Sequence, residues 1–456
     1  MAYYIWKSYK LKIEPLEIFR VLSRQKNCFF LDSSLNANFS LGRYSFLGID
    51  PFYIFKTKEE DPFEKLRSLL KKYQIQISKD AIPFSGGAVG YLTYDLGVFL
   101  EKKIKRKNKP SFKIPDCLFG FYNTVIIIDH FKHRLGIFSN GFPETKYHLA
   151  KLLAEANFKK INKLLSKINT TRNFPQTKGL SSSFEEINSN FSKEEYLLAV
   201  KKAKEYIKAG DIYQVNLSQA FQTKTNLSGY QIYQRLRQIS PSYFSAYFDA
   251  GEFQILSSSP ERFLRLEGDI VTTRPMKGTR PRVKNRLKDK KLKKELLESA
   301  KDKAELIMIV DLERNDLGRV CNYSSVKVAT LRQLEEYSTV LQTTATVQGK
   351  LHRDKDRIDL LRACFPGGSI TGCPKIRAME IIEELEPSRR SIYTGCLGYF
   401  SFSGNMDSNI LIRTILKKGD WLCFGVGGGI VADSKPEAEY QETLIKAQAM
   451  MQAISA

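Results

Sequence analysis

The sequence predicts an α+β protein built as a large mixed α/β sandwich. Its 456 residues, of which 42% are hydrophobic, can bury a large core, so two domains or one intertwined sandwich are expected. Strand-like runs dominate the first third of the chain, and helices and strands intermingle after it. No stretch approaches the roughly 20 apolar residues of a membrane helix. There is no signal-peptide layout, so we expect a soluble, untargeted protein.

The chain divides into two regions separated by a polar stretch. Residues 1–165 are predicted to be mostly β with short helices, because apolar runs such as "CFFLDS" (28–33) lie between Gly and Pro turns. Residues 166–191 are rich in Ser, Thr and Asn and almost lack large apolar side chains, which predicts a linker. Residues 192–456 then form the second domain, which we expect to carry the functional site.

The second region opens with a helix and a strand. Ser192 and Glu195 make a capping box, and Gly210 ends the helix. Its apolar positions follow at helical spacing: Tyr196, Val200, Ala203 and Ile207. The next stretch, 212–221, alternates as a strand does. One face is apolar (Tyr213, Val215, Leu217, Phe221) and the other polar (Gln214, Asn216, Ser218). A buried polar strand face is typical of a ligand wall.

Further strands and helices alternate to the end of the chain. The predicted strands are "QILSSS" (254–259), "YFSFSG" (399–404) and "NILIRTILK" (409–417). The predicted helices cover about 284–314, 355–365, 372–385 and 436–454.

Cysteine, histidine and net charge exclude several classes of function. Seven scattered cysteines without a C-x-x-C pair argue against a disulfide framework or a zinc site, and indicate a reducing cytoplasm. The four histidines have no catalytic or metal-binding spacing. The net charge of +23 fits either a polyanion-binding surface or an anionic small-molecule substrate. Because the basic run 280–305 mixes acids with lysines and no nucleic-acid motif is present, we expect a solvated helix face there.

Two pairs of carboxylates are candidates for a metal site. Asp302 and Glu305 lie three residues apart on one predicted helix, as do Glu439 and Glu442 on another, and Lys446 follows one turn later. Either pair alone is ordinary surface. If the two faces met across a cavity, their oxygens would suit Mg²⁺, which binds one or two carboxylates together with water and an anionic substrate.

Three further features could line such a cavity. The Gly-rich stretch 425–434, which contains Gly427 and Gly429, and the stretch 365–375, which contains Ser369, are each predicted to be an anion-binding turn or a tight helix entry. Glu261 follows a strand where Pro260 forces a turn, which suits a site mouth or plain surface. Together these features indicate a pocket for a polycarboxylate bound through Mg²⁺, arginines and backbone N–H groups.

Lys277 is the lone amine in "TTRPMKGTRPR" (272–282). It is either a solvated charge or a nucleophile. A nucleophilic lysine must lose its proton, so we expect burial and the charges of Arg274 and Arg280 to lower its pKa below the usual value of about 10.4.

Seven stretches occur in a fixed order: "GDIYQVNLSQ", "SSSPERF", "TTRPMKGTRPR", "IVDLERNDLGRV", "FPGGSITGCPKIRAMEIIEELEP", "RSIYTGCLGY" and "GGGIVADSKPEAEYQET". Together they closely resemble the chorismate-utilising enzyme family over about residues 194–450. Residues 1–155 resemble it more loosely, through "FFLDSS" and "GRYSFLGIDP". The resemblance implies a sandwich in which two sheets enclose the site and the helices lie outside.

Within that family the chain most resembles the branch that converts chorismate to 4-amino-4-deoxychorismate for p-aminobenzoate and folate. In that branch a lysine in "P-I-K-G-T" is understood to add to C2 of chorismate as the C4 hydroxyl leaves, before ammonia enters at C4. Lys277 matches that lysine, behind Met276 instead of Ile. Anthranilate-forming members resemble "P-I-A-G-T" there. Glu261 matches the proposed general acid/base.

The resemblance also implies a ligand set. Glu305 and Glu442 match direct Mg²⁺ ligands, with Asp302 and Glu439 acting through water. The substrate-contacting matches are Ser369, Tyr393, Arg413, Gly427, Gly429, Lys446, Thr279, Gln214 and Gln342. Arg413 would clamp a carboxylate with two hydrogen bonds.

Two of these positions discriminate between activities. Gln214 stands where isochorismate- and salicylate-forming members have a base lysine, so water addition would lack its base. Gln342 stands where many members have a histidine associated, in anthranilate synthases, with loss of the enolpyruvyl group. The absence of this histidine fits a product that keeps the enolpyruvyl group, although Gln342 also departs from many members of the aminodeoxychorismate branch.

No glutaminase signature is present, so the resemblance implies a separate glutamine amidotransferase subunit that supplies ammonia. Chorismate is the expected small-molecule partner, and no nucleic-acid or membrane partner is expected. The alternatives are the anthranilate-forming activity and a basic nucleic-acid-binding protein on an inactive enzyme fold. "FFLDSS" resembles the region where anthranilate synthases bind tryptophan, and here we expect a structural or vestigial pocket.

Overall fold

The computed structural model describes residues 3–35, 39–77, 82–105, 108–109, 112–168, 186–337 and 340–455. These residues form two antiparallel sheets of 12 and 10 strands, so the predicted α+β sandwich is confirmed. Most of the predicted linker, residues 169–185, lies outside the described residues.

The strands, in chain order, are β1 (Tyr4–Lys10), β2 (Phe29–Asp32), β3 (Tyr44–Gly48), β4 (Tyr53–Thr57), β5 (Gly87–Leu92), β6 (Cys117–Tyr122), β7 (Thr124–Asp129), β8 (Arg134–Asn140), β9 (Asn188–Ser189), β10 (Gln214–Lys224), β11 (Phe244–Asp249), β12 (Gln254–Ser259), β13 (Arg262–Glu267), β14 (Ile270–Arg274), β15 (Met276–Pro281), β16 (Lys327–Glu336), β17 (Val340–Lys350), β18 (Gly372–Cys373), β19 (Cys396–Ser401), β20 (Met406–Ile410), β21 (Thr414–Lys418) and β22 (Trp421–Ile430).

The helices are α1 (Pro15–Leu22), α2 (Phe39–Gly42), α3 (Phe63–Lys72), α4 (Tyr94–Leu100), α5 (Tyr147–Ser166), α6 (Lys193–Lys208), α7 (Gly229–Ile239), α8 (Arg286–Glu298), α9 (Ala300–Gly318), α10 (Arg357–Cys364), α11 (Lys375–Leu385) and α12 (Pro436–Ser455), with a 3-10 turn at Gly368–Ile370. Among the residues described above, no helix is both long and apolar enough to cross a membrane.

Both sheets draw strands from both halves of the chain. The larger sheet has the order β1-β8-β7-β3-β2-β11-β12-β21-β22-β10-β18, with β9 beside β10. The smaller has the order β15-β17-β14-β13-β20-β19-β5-β6-β4, with β16 beside β17. Thus β2 pairs with β11 in one sheet, and β5 pairs with β19 in the other. The predicted boundary at 166–191 divides the sequence, but the sheets and their core are common to both regions.

The sheets face each other through apolar side chains, and helices cover the outside. Phe46 of β3 and Tyr399 of β19, on opposite sheets, have ring centroids 5.4 Å apart. Outside the larger sheet, α12 packs on β22 and against α6 and α7. On the smaller sheet, α9 packs on β15 and β17. This is the predicted layout of two sheets with helices outside.

Local signals predicted several elements well. Ser192 and Glu195 form the capping box of α6. That helix ends at Lys208, two residues before Gly210, whose φ is +84°. Tyr213 was placed on the apolar strand face, which is wrong, because it precedes β10 and is 72% exposed. The predicted helix at 284–314 is in fact two helices that meet at Ser299, whose side chain caps α9 by accepting a hydrogen bond from the Asp302 N–H.

The largest difference concerns "NILIRTILK", which is not one strand. Its first part ends β20 in the smaller sheet, and its second part is β21 in the larger sheet. The chain crosses between the sheets at residues 411–413, where Arg413 has a φ of +50°. Continuous apolar alternation concealed this crossing, which places Arg413 between the two sheets.

Candidate active site

Lys277 extends from the edge of the smaller sheet toward the larger one. Its Nζ donates a hydrogen bond to the Ser369 carbonyl oxygen at 3.2 Å. A Cβ built on Gly429, in β22 of the larger sheet, would lie 3.5 Å from the same Nζ. The amine is therefore held between the sheets, and the interpretation of Lys277 as an ordinary solvated charge does not fit.

Burial lowers the pKa of Lys277, as the sequence predicted. The positive charge of Lys446 acts in the same direction, while the carboxylates of Glu305, Glu261 and Glu442 oppose it. The predicted cations are engaged elsewhere: Arg274 pairs with Glu335, and Arg280 pairs with Asp302 at 2.9 Å. Lys446, on α12, thus takes the role expected of the two arginines.

Glu261 is a buried carboxyl at the same point. It is 4% exposed, and the Ser369 hydroxyl donates a hydrogen bond to its Oε1 at 2.5 Å. Burial raises its pKa to about 7, although the Ser369 hydrogen bond and the charges of Lys277 and Lys446 favour the ionised form. A carboxyl with a pKa near neutrality can both give and take a proton at physiological pH. Of the two interpretations of Glu261, the structure supports the site.

The Gly-rich stretch is a strand and not the predicted turn. Gly425, Gly427 and Gly429 lie within β22 and pair with β10, where Gly427 is opposite Ser218. A Cβ on Gly427 would lie 2.7 Å from the Leu217 carbonyl oxygen. Side chains at the other two glycines would overlap Tyr393 and Gln214 respectively. These glycines leave space for neighbouring side chains. Because a run of glycines is also typical of an anion-binding turn, the prediction from the sequence is wrong here.

The polar face of β10 is buried and partly without partners. Among the described residues, both side-chain polar atoms of Gln214, Oδ1 of Asn216 and Oε1 of Gln342 are buried without a hydrogen-bond partner. Gln342 Nε2 donates to Thr279 Oγ1 at 3.3 Å. A buried polar atom without a partner costs about 1–3 kcal/mol, which a polar ligand would offset. The prediction of a ligand wall at β10 accords with this arrangement.

Tyr393 and Lys446 contact β22 beside this wall, and Arg413 lies where the chain crosses between the sheets. The Arg413 carbonyl accepts from the Ser258 N–H, three residues before Glu261. No carboxylate of the described residues pairs with the Arg413 guanidinium, whose pKa burial lowers. Tyr393 packs over Gly425 and is 7% exposed. Lys446 Nζ donates to the Gly427 carbonyl oxygen at 2.8 Å. An unpaired guanidinium is suited to bind a substrate carboxylate.

The four candidate metal ligands lie on two helices, and one carboxylate from each helix acts on Lys277. Asp302 and Glu305 are on α9, and Glu439 and Glu442 on α12. The charges of Glu305 and Glu442 act on each other and on Lys277. Burial and like charges raise the pKa of Glu305 and of Glu439, whereas Lys446 lowers that of Glu442.

Each of these carboxylates has a partner within the chain. Arg280 binds Asp302, and Lys446 lies 2.7 Å from Glu442. Lys301 is 3.9 Å from Glu305, and Ser434 donates to Glu439 at 2.6 Å. Within the part of the chain that the structure describes, no three His, Cys, Asp or Glu side chains are arranged to hold a metal. The oxygen-only donor set nevertheless has the chemistry that Mg²⁺ prefers, so magnesium stays a prediction.

A buried ion pair behind the site escaped the sequence reasoning. Arg390 pairs with Glu386 at 2.6 Å and donates to the Asn216 and Ile370 carbonyls. Glu386 accepts from both the backbone and the hydroxyl of Ser218. The pair therefore ties β10 to the turn that carries Ser369. Its i,i+4 spacing in "ELEPSRR" was visible, but the same spacing is common on exposed helices.

"FFLDSS" borders a second cavity, away from Lys277. This cavity has a volume of about 430 Å³ and lies between the sheets, with Asp32, Ser33, Arg43, Arg262 and Asp407 among its lining residues. Residues from both regions of the chain line this cavity. Its ligand stays a prediction.

Comparison with known proteins identifies the family of this chain. A family model described as chorismate binding enzyme matches residues 26–452. Anthranilate synthase component 1 of Acetivibrio thermocellus is 38% identical over 96% of this chain and 92% of its own length. Aminodeoxychorismate synthase component 1 of Bacillus subtilis (strain 168) is 37% identical over 91% of this chain and 89% of its own length.

A solved structure gives the same result for the fold. Anthranilate synthase component I from Streptococcus pneumoniae TIGR4 superposes with a TM-score of 0.77 and 31% identity, covering 90% of this chain and 92% of that one. The similar proteins thus divide between two activities on one substrate. The chain belongs to the family of chorismate-utilising, chorismate binding enzymes.

Proposed function

We propose that this chain is component 1 of an aminodeoxychorismate synthase, which converts chorismate and ammonia to 4-amino-4-deoxychorismate. The observation that carries the proposal is the placement of Lys277. Its amine has a lowered pKa, contacts Ser369 at 3.2 Å, and shares that residue with the buried acid Glu261. An amine in this position is equipped for covalent catalysis, which divides one difficult substitution into two steps.

In the first step the unprotonated Lys277 amine adds to C2 of chorismate. Both conjugated ring double bonds shift, the C4–oxygen bond breaks, and Glu261 supplies the proton with which the hydroxyl leaves as water. In the second step ammonia bonds to C4, both double bonds shift back and the C2–nitrogen bond to Lys277 breaks. The proton lost by the incoming ammonia returns to the Glu261 carboxylate or the departing amine. Nitrogen thereby arrives at the carbon that lost oxygen.

The remaining site residues would hold the substrate. Arg413 would clamp a carboxylate, the Tyr393 phenol would donate to it, and Gln214 and Gln342 would satisfy their buried polar atoms on the substrate. Burial raises the pKa of Tyr393, which keeps its phenol protonated. In this proposal the enolpyruvyl group is retained because Gln342 stands at the position where many anthranilate synthases have a histidine.

Magnesium is part of the proposal. Glu305 and Glu442 would bind it directly, and Asp302 and Glu439 would support it through water. The ion would bind the ring carboxylate of chorismate and neutralise its charge. The cations that now pair with these acids, above all Lys446, would then be released toward the substrate.

A second subunit and a reducing compartment complete the proposal. The relatives are named as component 1, which supports a separate glutamine amidotransferase as the source of ammonia. All seven cysteines are free, in keeping with the cytoplasm. The second candidate function is anthranilate synthase component 1, favoured by relatives of that name at equal identity.

One experiment separates the two candidates. Purified protein is incubated with chorismate, Mg²⁺ and ammonium at mildly alkaline pH, and the products are resolved by chromatography and mass. Lys277→Ala is run in parallel, with Lys350→Ala as a control because Lys350 forms an exposed pair with Asp269. We expect aminodeoxychorismate from the wild type and the control, and strongly reduced product from Lys277→Ala. Anthranilate and pyruvate from the wild type would overturn the proposal.

A further inference from the structure

Ser369 is the residue on which both catalytic side chains depend. Its carbonyl accepts from Lys277 and its hydroxyl donates to Glu261. It lies in the middle of the one-turn segment Gly368–Ile370. A shift of this segment would move both reacting groups together, so whatever fixes the segment controls the reaction geometry.

Glu313, a buried residue of α9, lies directly against the start of that segment. A Cβ built on Gly368 would be 3.3 Å from Glu313 Oε1 and 2.6 Å from Leu312 Cδ2, so no side chain fits between the turn and the helix. The other carboxyl oxygen of Glu313 accepts from the Thr273 hydroxyl at 3.4 Å. Glu313 is 2% exposed. Glu313 thus contacts both the 3-10 turn and strand β14.

The charges around Glu313 distinguish it from its neighbour Asp316. Asp316 takes both nearby cations, since Lys375 and Arg319 pair with it. Among the described residues, Glu313 pairs with neither. Its remaining polar contacts are neutral, namely the Thr273 hydroxyl and the backbone N–H of Gly368. Because Glu313 is buried beside the active site and its partners are neutral, we expect it to have a role other than ion pairing.

We infer that Glu313 is a positioning residue, which holds Gly368 in place so that Ser369 keeps Lys277 and Glu261 in register. The inference rests on the proposed roles of Lys277 and Glu261, but not on which product forms. Glu313 does not touch the substrate, and it acts through the turn.

The titratable and charged groups that face Glu313 are Asp316 on its own helix, Lys375 on α11, Glu261 beyond the turn, and Cys364 at the end of α10. Burial and the Asp316 charge raise the pKa of Glu313, and Lys375 opposes this shift. We expect the position of the Glu313 carboxyl to matter more than its charge for holding the turn, and substitutions can separate the two effects.

The test compares Glu313→Gln, which keeps an oxygen near Gly368, with Glu313→Asp, which withdraws it by one methylene. Chorismate consumption is measured, since it does not depend on the product. We expect Glu313→Gln to stay close to wild type and Glu313→Asp to lose about 100-fold in kcat, as a misplacement near 1 Å costs. KM should change much less than kcat, because Arg413, Tyr393 and Gln214, which hold the substrate in the proposal, do not lie on this turn. Asp311→Asn, an exposed acid on the same helix, is the control.

The pH profile separates positioning from a general loss of structure. Because the Ser369 hydrogen bond lowers the pKa of Glu261, loosening it in Glu313→Asp should move the Glu261 ionisation to higher pH. A smaller fraction of folded enzyme would leave that ionisation where it is. In Glu313→Gln it should stay at the wild-type position or below it.

A second variant keeps the inference testable if Glu313→Asp does not fold. Gly368→Ala leaves Glu313 intact and pushes the turn off α9, so it should reproduce the kcat loss and the upward shift of the ionisation. A wild-type kcat in Glu313→Asp, or equal impairment in Glu313→Gln and Glu313→Asp, would overturn the inference. If the wild type instead makes anthranilate while these differences persist, the proposed function fails and the positioning role stands.

Discussion

The hydroxyl of Ser369 donates to Oε1 of Glu261 at 2.5 Å. This contact favours the ionised carboxyl, whereas burial favours the protonated one, and burial prevails. The hydrogen bond thus brings the pKa of a buried acid back toward neutrality.

Ser369→Ala tests this relationship. Loss of the hydrogen bond should raise the pKa of Glu261 above its value of about 7, so the ionisation seen in kcat/KM should move to higher pH. Rates of chorismate consumption between pH 5 and 9 measure the shift. Ser166→Ala, at the exposed end of α5, should leave the profile unchanged. An unshifted profile in Ser369→Ala would show that this hydrogen bond does not set the ionisation.

The stability of the protein should depend on Glu261 in a defined pH window. Its folded pKa is about 7, raised from 4.5, so the folded state binds the proton more tightly than the unfolded state. The fold therefore loses stability as the pH rises from about 4.5 to 7, by at most about 3 kcal/mol.

Glu261→Gln removes this loss. Its thermal midpoint should match the wild type near pH 4.5 and exceed it above pH 7. Glu252→Gln, at an exposed acid, provides the comparison. A thermal midpoint for Glu261→Gln that is no higher than wild type at pH 8 would contradict the raised pKa.

Gly429→Ala should reduce activity with little loss of fold. The new methyl group would lie 2.4 Å from Gln214 Nε2, so it displaces that amide from the ligand wall, and it would be in van der Waals contact with Lys277 Nζ at 3.5 Å. Chorismate consumption and circular dichroism are the measurements. Gly318→Ala is the matched control, because no atom lies within 4 Å of its added Cβ. Equal activity in the two variants would mean that the close approach at Gly429 has no role.

Removal of magnesium should abolish activity. On the proposed mechanism the ion binds the ring carboxylate, which the negative charges of Glu305 and Glu442 would otherwise repel. Activity should vanish with a chelator and return with Mg²⁺. Glu305→Gln should need more Mg²⁺ for half-maximal activity, whereas Glu298→Gln on the exposed face of α8 should not. Full activity in excess chelator would remove magnesium from the proposal.

Local chemistry made much of the fold predictable. The capping box at Ser192, the alternation along β10 and the carboxylate spacing on α9 and α12 are all properties of short stretches. The Lys277 stretch also pointed to an amine with a lowered pKa. These predictions needed no knowledge of what lies opposite each residue.

The rest depends on contacts between distant residues. The break before β21 results from a change of sheet at Arg413, which apolar alternation does not reveal. The sequence predicts a turn at the glycines of β22, and this is wrong. The glycines leave room for Tyr393 and Gln214, which are distant in sequence, so a short stretch does not reveal the reason for them. Likewise, Lys446 acts on Lys277 only because α12 packs on β22 of the larger sheet, the strand in which Gly429 lies close to the Lys277 amine.

The sharing of strands between the two halves of the chain has a consequence for synthesis and truncation. A fragment of residues 192–456 would leave the sides of β11 and β19 that β2 and β5 occupy uncovered. Bare strand edges within a sheet favour aggregation. Glu442 and Lys446, which act on Lys277, lie on α12, and α12 follows every other helix and strand described above. The ribosome must therefore have released α12 before the catalytic pocket can close.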